Sequence, residues 1–168
     1  GEGWGGGHGA RTAWDDRPMP TPPSPGHFER EHQHLEAQLH AHLLDVAGAD
    51  FERARQRLQR WRRALARHIA IANDRLLPHL PAGARWPARL YLAEHERIEL
   101  LADEYAQRLD ALLARPLRSQ RARRQAVLTL LDAAHPLRHL IEQHHQREEM
   151  ALAHELPLAL QQAAWARG

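Results

Sequence analysis

The sequence predicts an all-α fold, an antiparallel up-down four-helix bundle with a Gly/Pro-rich N-terminal tail, from three observations. Four segments carry apolar residues at alternating three- and four-residue steps, the period of a helix face that packs in a bundle. Gly and Pro residues interrupt this pattern between the segments. No run alternates apolar and polar residues with the period of two that a half-buried strand requires. The length of 168 residues suits one domain.

Residues 1–26 differ from the rest of the chain, because Gly and Pro dominate them. Such a composition cannot hold a regular element, so we predict a flexible tail in which Trp4 and Trp14 are candidates for docking on the bundle. Residues 27–168 form the predicted helical domain.

The first two helices are predicted over residues 27–47 and 51–77. Gly48 ends the first helix, and Asp50 is the expected N-cap of the second. Their apolar faces comprise Phe28, Leu35, Leu39, Leu43, Val46, Phe51, Ala54, Leu58, Trp61, Leu65, Ala72 and Leu76.

The third helix is predicted over residues 87–114, because Pro is favourable in a first turn. The fourth begins near Ser119 and contains Pro136, which should kink or split it. A short helical segment is expected over residues 157–166. The core faces comprise Leu92, Ala102, Ala106, Leu109, Leu113, Val127, Leu130, Ala134, Leu137, Ile141 and Leu152.

Composition excludes several kinds of chemistry. The chain has no Cys, which rules out disulfides, iron–sulfur clusters and thiolate zinc sites, so any metal must be held by imidazole and carboxylate. The sequence also contains no Lys, which excludes Schiff-base chemistry and a phosphate-loop lysine. The unusual number is the His count of 14. Histidine is the commonest metal ligand among side chains.

Charge and hydropathy argue against two classes of partner. No apolar run approaches the ~20 residues that span a bilayer, so we expect a cytoplasmic protein without a membrane partner. Arg residues are dense over residues 53–67 and 118–124, but aromatic residues do not alternate with them and the net charge is only +2. A solvated helix face is therefore favoured over a nucleic-acid surface.

One His falls on the core face of each predicted helix, and in the third and fourth helices a Glu follows it one turn later. The six candidate metal ligands are His32, His68, His95, Glu99, His144 and Glu148. Residues four apart share a helix face, so each His–Glu pair can hold an ion. Antiparallel helices bring all four His to one end of the bundle, because two lie early and two late in their helices.

Two alternatives stay open at this point. His–Glu ion pairs in a structural core would also offset the cost of burying a carboxylate, which is several kcal/mol without a partner. His145, with Glu149 four residues later, is the register alternative to His144, although the apolar stripe favours His144 as the inward residue. The other histidines, His42 among them, are expected at the surface.

Four phrases of the sequence resemble the hemerythrin-like (HHE cation-binding) domain family over roughly residues 27–156. They are EREHQHL, LARHIAIANDRLLPHL, AEHERIELL and IEQHHQREEMAL, the last with the His-x-x-x-Glu-Glu pattern. The resemblance implies two non-haem irons, held by one His from each helix and bridged by carboxylates. The positions that match family ligands are His32, His68, His95, His144 and Glu148. Glu99 lies where some members place a further His.

One position departs from the family pattern. Ala72 stands where members usually carry a bridging Glu, and Asn73 and Asp74 are expected to turn away from the core. Three outcomes stay open: a diiron site with an altered bridge that uses Glu99, a single-metal site, or a degenerate site. Iron is favoured, and manganese or zinc also suits these ligands.

The resemblance implies a small diatomic or peroxide ligand at the metal, with a role in binding or sensing oxygen, nitric oxide or peroxide, or in handling iron under stress. A homodimer is left open. The alternatives are a diiron oxidoreductase that turns over peroxide and a metal-free structural or interaction bundle. No acid–base pair or nucleophile stands apart from the candidate ligands, so the sequence does not predict an enzyme.

Overall fold

The computed structural model describes residues 26–166, and within them all regular structure is helical. The all-α prediction is therefore confirmed for this part of the chain. The Gly/Pro-rich tail and the docking of Trp4 and Trp14 lie outside the described residues. The four long helices are α1 (His27–Ala47), α2 (Phe51–Ile71), α3 (Ala88–Leu113) and α4 (Gln120–Arg147).

Side-chain caps begin two of these helices where the sequence predicts them. The carboxylate of Asp50 accepts a hydrogen bond from the backbone N–H of Arg53 at 3.3 Å. The hydroxyl of Ser119 accepts one from the N–H of Ala122 at 3.0 Å. Each cap satisfies a first-turn donor that has no partner within the helix.

Both α2 and α4 continue into a wider π-helical turn, over Ala72–Leu76 and Glu148–Leu152 respectively. The first turn leads into a 3₁₀ turn, Leu77–His79, and the second into the short helix α5, Ala153–Glu155. Helical structure thus extends to the predicted end of the second helix. Its winding is α-helical as far as Ile71 and then becomes π-helical and 3₁₀. Pro136 lies inside α4 without splitting it.

The short C-terminal helix α6, Leu158–Ala166, confirms the helical segment expected after Pro157. The buried side-chain amide of Gln161 links α6 to the residues that precede it. It donates hydrogen bonds to the carbonyl oxygens of Ala153 at 2.9 Å and Leu156 at 3.0 Å. Through these contacts α6 folds back and packs against α1 and the first π-helical turn.

Helix α1 packs against α2 and α4, and α3 packs against the same two helices. The apolar core between them forms two separate clusters. The larger core cluster includes Leu35, Leu58, Leu65, Ile98, Leu109, Leu130 and Ile141. The end cluster comprises Phe28, Ile71, Leu76, Leu77, Tyr91, Leu152, Leu156, Ala164 and Trp165. The four candidate ligand histidines lie along the chain between members of these two clusters in every long helix.

Two expectations for the core are wrong. Leu92, predicted on the core face of the third helix, is exposed, and its neighbour Tyr91 occupies the buried position instead. His42 is fully buried rather than at the surface. Its Nδ1 is 2.7 Å from the carbonyl oxygen of Ala54, to which it donates, and its Nε2 accepts from the hydroxyl of Tyr105 at 2.7 Å. The imidazole can be buried because both ring nitrogens have partners.

Candidate metal centre

Four buried imidazoles, one from each long helix, surround the carboxylate of Glu148. The Nε2 atoms of His32 and His144 are 3.0 Å and 3.1 Å from its Oε1. The Nε2 of His68 is 3.6 Å from Oε1, and the Nε2 of His95 is 3.7 Å from Oε2. Five of the six predicted ligands therefore meet at one point.

Glu148 belongs to two groups of three potential ligands. His32 and His68 form the first triad with it, and His95 and His144 form the second. In each triad the ligand atoms lie within 4.8 Å of one another, a spacing that allows one ion to contact all three. A carboxylate has two oxygens, so Glu148 is able to serve both triads as a bridge.

The outward-facing nitrogens of the first triad also face carboxylates. His32 Nδ1 lies 3.0 Å from Oε1 of Glu149, and His68 Nδ1 lies 3.9 Å from Oε2 of Glu31. The hydrogen bond to Glu149 favours a proton on Nδ1 of His32, which directs the electron pair of Nε2 toward a bound metal. Glu31 faces His68 Nδ1 at a distance too long for a hydrogen bond.

The second triad has the same arrangement with different partners. His95 Nδ1 lies 2.6 Å from Oδ1 of Asn73, and His144 Nδ1 lies 3.4 Å from Oε2 of Glu94. Arg147 holds Glu94 in turn, with Nε 2.8 Å from Oε1. An oxygen of another residue therefore lies behind each of the four imidazoles. It accepts a hydrogen bond from His32 and from His95, and it faces His68 and His144 without one.

Several inward-facing atoms have no hydrogen-bond partner within the described residues. They are Nε2 of His68, His95 and His144 together with Oε2 of Glu148. A buried polar atom without a partner costs about 1–3 kcal/mol. One divalent cation in each triad would satisfy these atoms, so the donor set fits metal ions with imidazole and carboxylate ligands.

The charge of Glu148 is held by its neighbours. Burial alone would raise its pKa, but His144, His32 and His68 outweigh that effect and keep the pKa well below its usual range. Burial likewise opposes the charge of His144, yet Glu148 and Glu94 raise its pKa to about 9. For His68, Glu148 and Glu31 outweigh burial and raise the pKa. The cluster therefore holds protons that an arriving metal would displace.

The structure does not bring Glu99 to the site. Its side chain is exposed, and Ile98 occupies the buried position on that turn of α3. A helix can bury either the third or the fourth residue after His95, and here the apolar Ile98 is buried while the charged Glu99 stays exposed. Glu94, on the turn before, is the α3 carboxylate that contacts the cluster.

Around Ala72, the structure agrees with the prediction for Ala72 itself and differs from the prediction for Asn73. Ala72 is fully buried and offers no ligand, as the sequence predicts. Asn73 was expected to turn away, but it is only partly exposed and bonds to His95. The π-helical turn explains the difference, because its wider winding rotates the residues that follow Ala72 relative to an α-helix.

Both members of the His144–His145 pair are buried. His144 is the one that joins a triad, as the stripe predicts. His145 stacks on His32 with ring centroids 3.7 Å apart and faces Glu36 through Nδ1 at 3.2 Å. Burial and the neighbouring His32 lower the pKa of His145 to about 2, so its ring is neutral.

The end cluster covers the site, which sequence reasoning missed. Trp165 of α6 stacks on His68 with ring centroids 4.9 Å apart, and Phe28 meets Trp165 edge-on at 5.5 Å. Tyr91, on the α3 turn before His95, is also fully buried there. The spacing of Phe28 and Tyr91, each four residues before a ligand His, was the available signal.

Comparisons with known proteins identify no relative of this chain: no family model, curated protein or solved structure matches it. Among the described residues, no helix combines the length and apolar character required to cross a bilayer.

Proposed function

We propose that this chain is a hemerythrin-like protein that binds two metal ions, one in each triad, with Glu148 as the shared bridge. One observation carries the proposal. All four imidazoles direct Nε2 toward the same buried carboxylate, while an oxygen of another residue faces each Nδ1. Metal-binding histidines have this arrangement, since the outer partner fixes the tautomer and ring orientation.

The proposal includes an antiparallel up-down bundle of the four long helices. Its support is the order of the two apolar clusters along the chain. In α1 and α3 the end cluster precedes the ligand His and the larger core cluster follows it. In α2 and α4 the larger core cluster leads up to the His, and the end cluster comes later, at the end of α2 and in the turns that continue the two helices. The three residues that join α1 to α2 also favour helices that run in opposite directions.

A structural polar core is the alternative, and it explains the cluster less well. His32 faces a carboxylate with each ring nitrogen, which requires a proton on both if only hydrogen bonds are made. The Nε2 atoms of three other histidines still lack partners. If a cation binds Nε2, each imidazole needs only one proton. That proton lies on Nδ1, which faces the oxygen of the outer residue.

The charge around the cluster is suited to divalent cations. Four carboxylates, on Glu148, Glu149, Glu31 and Glu94, lie at the cluster or directly behind it. Arg147 neutralises part of this charge from the outer side of Glu94. The remaining negative charge suits divalent cations but lies midway between the charges of one ion and two, so the division of the ligands into two triads, rather than charge, favours a pair.

Iron is the proposed metal, because the absence of Cys leaves an imidazole–carboxylate donor set and the sequence phrases resemble the HHE family. Manganese and zinc suit the same ligands. When bound, an iron pair would supply open coordination positions and reversible electron transfer toward oxygen, nitric oxide or peroxide. The chain itself holds the imidazoles in register, keeps water out with the end cluster, and stores displaceable protons on His144 and His68.

The test is metal content after expression in iron-replete medium, compared among the parent protein, Glu148→Gln and Glu99→Gln. We expect about two equivalents of iron in the parent and little in Glu148→Gln, because both triads lose their shared ligand. Glu99→Gln removes an exposed carboxylate one turn after the ligand His95 on α3, outside the cluster, so it should match the parent. A parent protein that stays free of transition metal after anaerobic reconstitution with Fe(II) would refute the proposal.

A further inference from the structure

His145 is a buried imidazole that belongs to neither triad. Its ring stacks on the ligand His32 with 5° between the planes, and its Nδ1 lies 3.2 Å from Oε1 of Glu36 on α1. An apolar side chain would fill this position without the cost of burying a polar ring. The imidazole therefore calls for a role beyond packing.

Glu36 connects His145 with the surface, since its side chain is 57% exposed. It lines an open groove of about 640 Å³ between α1 and α4. A smaller cavity of about 10 Å³ adjoins this groove, and His145 is part of its lining. Glu36, Leu39 and Ile141 line both spaces, so the groove leads inward to His145 and, through the stacked rings, to His32.

The groove between α1 and α4 is suited to cations. Glu36 and Glu142 contribute negative charge to its wall, against the positive charge of Arg138. Burial raises the pKa of Glu36, and the charges of neighbouring carboxylates, Glu142 among them, raise it further. Three imidazoles also line the groove, those of His40, His135 and His139. An arriving metal ion therefore meets the same kinds of ligand as in the buried centre.

The other sides of the centre are less open to a cation. Aromatic rings of the end cluster cover the first triad. Behind the second triad, the guanidinium of Arg147 lies 2.8 Å from Glu94, and its positive charge repels an approaching metal ion. Two partly exposed carboxylates behind ligand histidines, on Glu31 and Glu149, mark the competing approaches.

We propose that metal ions enter the buried centre through this groove, where Glu36 binds the arriving ion and His145 passes it to His32 and the first triad. This inference rests on the proposed metal binding and adds the route of the ion to it. While Oε1 of Glu36 accepts from Nδ1 of His145, Oε2 of Glu36 and the electron pair on Nε2 of His145 remain for a cation. Glu36 and His145 are then entry residues, distinct from the ligands that retain the ion.

The first test follows the uptake of Co(II) by the chelator-treated protein, because Co(II) accepts the same ligands and changes the visible spectrum when it binds. Glu36→Gln should load about tenfold more slowly or worse, since a cleft of one charge sign raises association rates by about 10- to 1,000-fold. His145→Gln removes the inner imidazole and should be slowed as well. Both should reach the cobalt content of the parent, because neither triad loses a ligand.

Glu99→Gln is the matched control, because it removes another exposed carboxylate and should load at the rate of the parent. Since Glu36 is exposed, its variant tests the route even if His145→Gln fails to fold.

The second test changes the charge of the groove in the opposite direction. Arg138→Gln removes positive charge from the wall and should speed loading, which a purely structural role of the groove would not produce. Added salt should slow the parent more than Glu36→Gln, because it screens the attraction between exposed charges. A loading rate that responds neither to Arg138→Gln nor to salt would overturn the proposal.

The outcomes separate the two proposals. Loading at the rate of the parent in Glu36→Gln and His145→Gln would refute the route and leave the metal proposal intact. Slow loading confined to Glu31→Gln or Glu149→Gln would place the entry at those carboxylates and also refute the route. A lower final cobalt content in Glu36→Gln would make Glu36 a ligand rather than an entry residue. A parent protein that binds no Co(II) would refute both proposals.

Discussion

Two buried polar clusters lie on the same helices and differ in how completely their atoms are paired. His42 and Tyr105 satisfy each other and a backbone carbonyl, with both contacts at 2.7 Å. Around Glu148, in contrast, three imidazole nitrogens and a carboxylate oxygen face inward without a hydrogen-bond partner. A satisfied pair adds to stability and specifies the packing, whereas the unsatisfied cluster is costly until something binds. Buried histidines are thus told apart by the partners of both nitrogens rather than by burial.

The largest expected effect separates the two triads. His68→Ala and His144→Ala each leave the other triad complete, so each should retain about one equivalent of metal, half of what two ligand sets hold. His42→Ala should retain the full metal content of the parent. Elemental analysis of the three purified variants checks this. Complete loss of metal in both His68→Ala and His144→Ala would mean that the cluster is a single site.

The next effect is on folding, and it falls on the other cluster. His42→Ala leaves a cavity and removes the partner of Tyr105 and of the Ala54 carbonyl, so the free energy of unfolding should fall by about 3 kcal/mol. Urea denaturation of the chelator-treated protein measures it. A loss below about 1 kcal/mol, the value of one ordinary hydrogen bond, would show that the pair is less important to the core than its geometry implies.

A smaller effect is expected from the residues behind the ligands. Asn73→Ala removes the oxygen that orients His95 and should weaken metal binding at the second triad about 10- to 100-fold. Asp74→Ala, at the exposed neighbouring position, is the matched control and should leave the affinity unchanged. Competition with a chromophoric chelator gives both affinities. Equal behaviour of the two variants would remove Asn73 from the centre.

The smallest effect concerns the dependence of stability on pH in the chelator-treated protein. The cluster around Glu148 should determine how stability falls at alkaline pH, and His42 should determine how it falls at acid pH. The raised pKa of His144, about 9, contributes stability that is complete below the ordinary His value of 6.5 and disappears as pH rises toward 9. Burial lowers the pKa of His42, so its contribution is present above 6.5 and falls as pH drops.

Stability should therefore be highest near pH 6.5, with an acid limb to which the buried neutral His145 also adds. Glu148→Gln should flatten the alkaline limb, because His144 loses the carboxylate that raises its pKa. Thermal unfolding between pH 5 and 9, a range that brackets the ordinary His pKa, measures both limbs. An alkaline limb that persists in Glu148→Gln would assign it to other groups.

The sequence predicts the long helices and the inward His set well, because both follow from the helical period. The bounds of α1 agree with the prediction, and the caps at Asp50 and Ser119 begin α2 and α4 as expected. The prediction for Glu99 is wrong because a helical period allows either the third or the fourth residue after His95 to be buried. The sequence alone does not say whether Ile98 or Glu99 takes the buried position.

Other features depend on contacts between helices that are distant in sequence. The spacing from His145 marks Glu149, but it does not show that the carboxylate reaches His32. Glu31 reaches a histidine on another helix, so no local pattern marks it. The same holds for Trp165, which reaches His68 only because α6 folds back. The bond from Asn73 to His95 requires a change of helical winding, for which an α-helical period gives no signal.

The π-helical turns at Ala72–Leu76 and Glu148–Leu152 have a consequence for how this chain tolerates changes in length. A π-helical turn holds one more residue than an α-helical turn, so each acts as a single-residue insertion in an otherwise regular helix. Deleting one residue from the first turn would let the α-helix continue and rotate everything after it by about 100°. A shortening by one residue at this place would therefore change which side chain meets His95, while every ligand His stayed in the sequence.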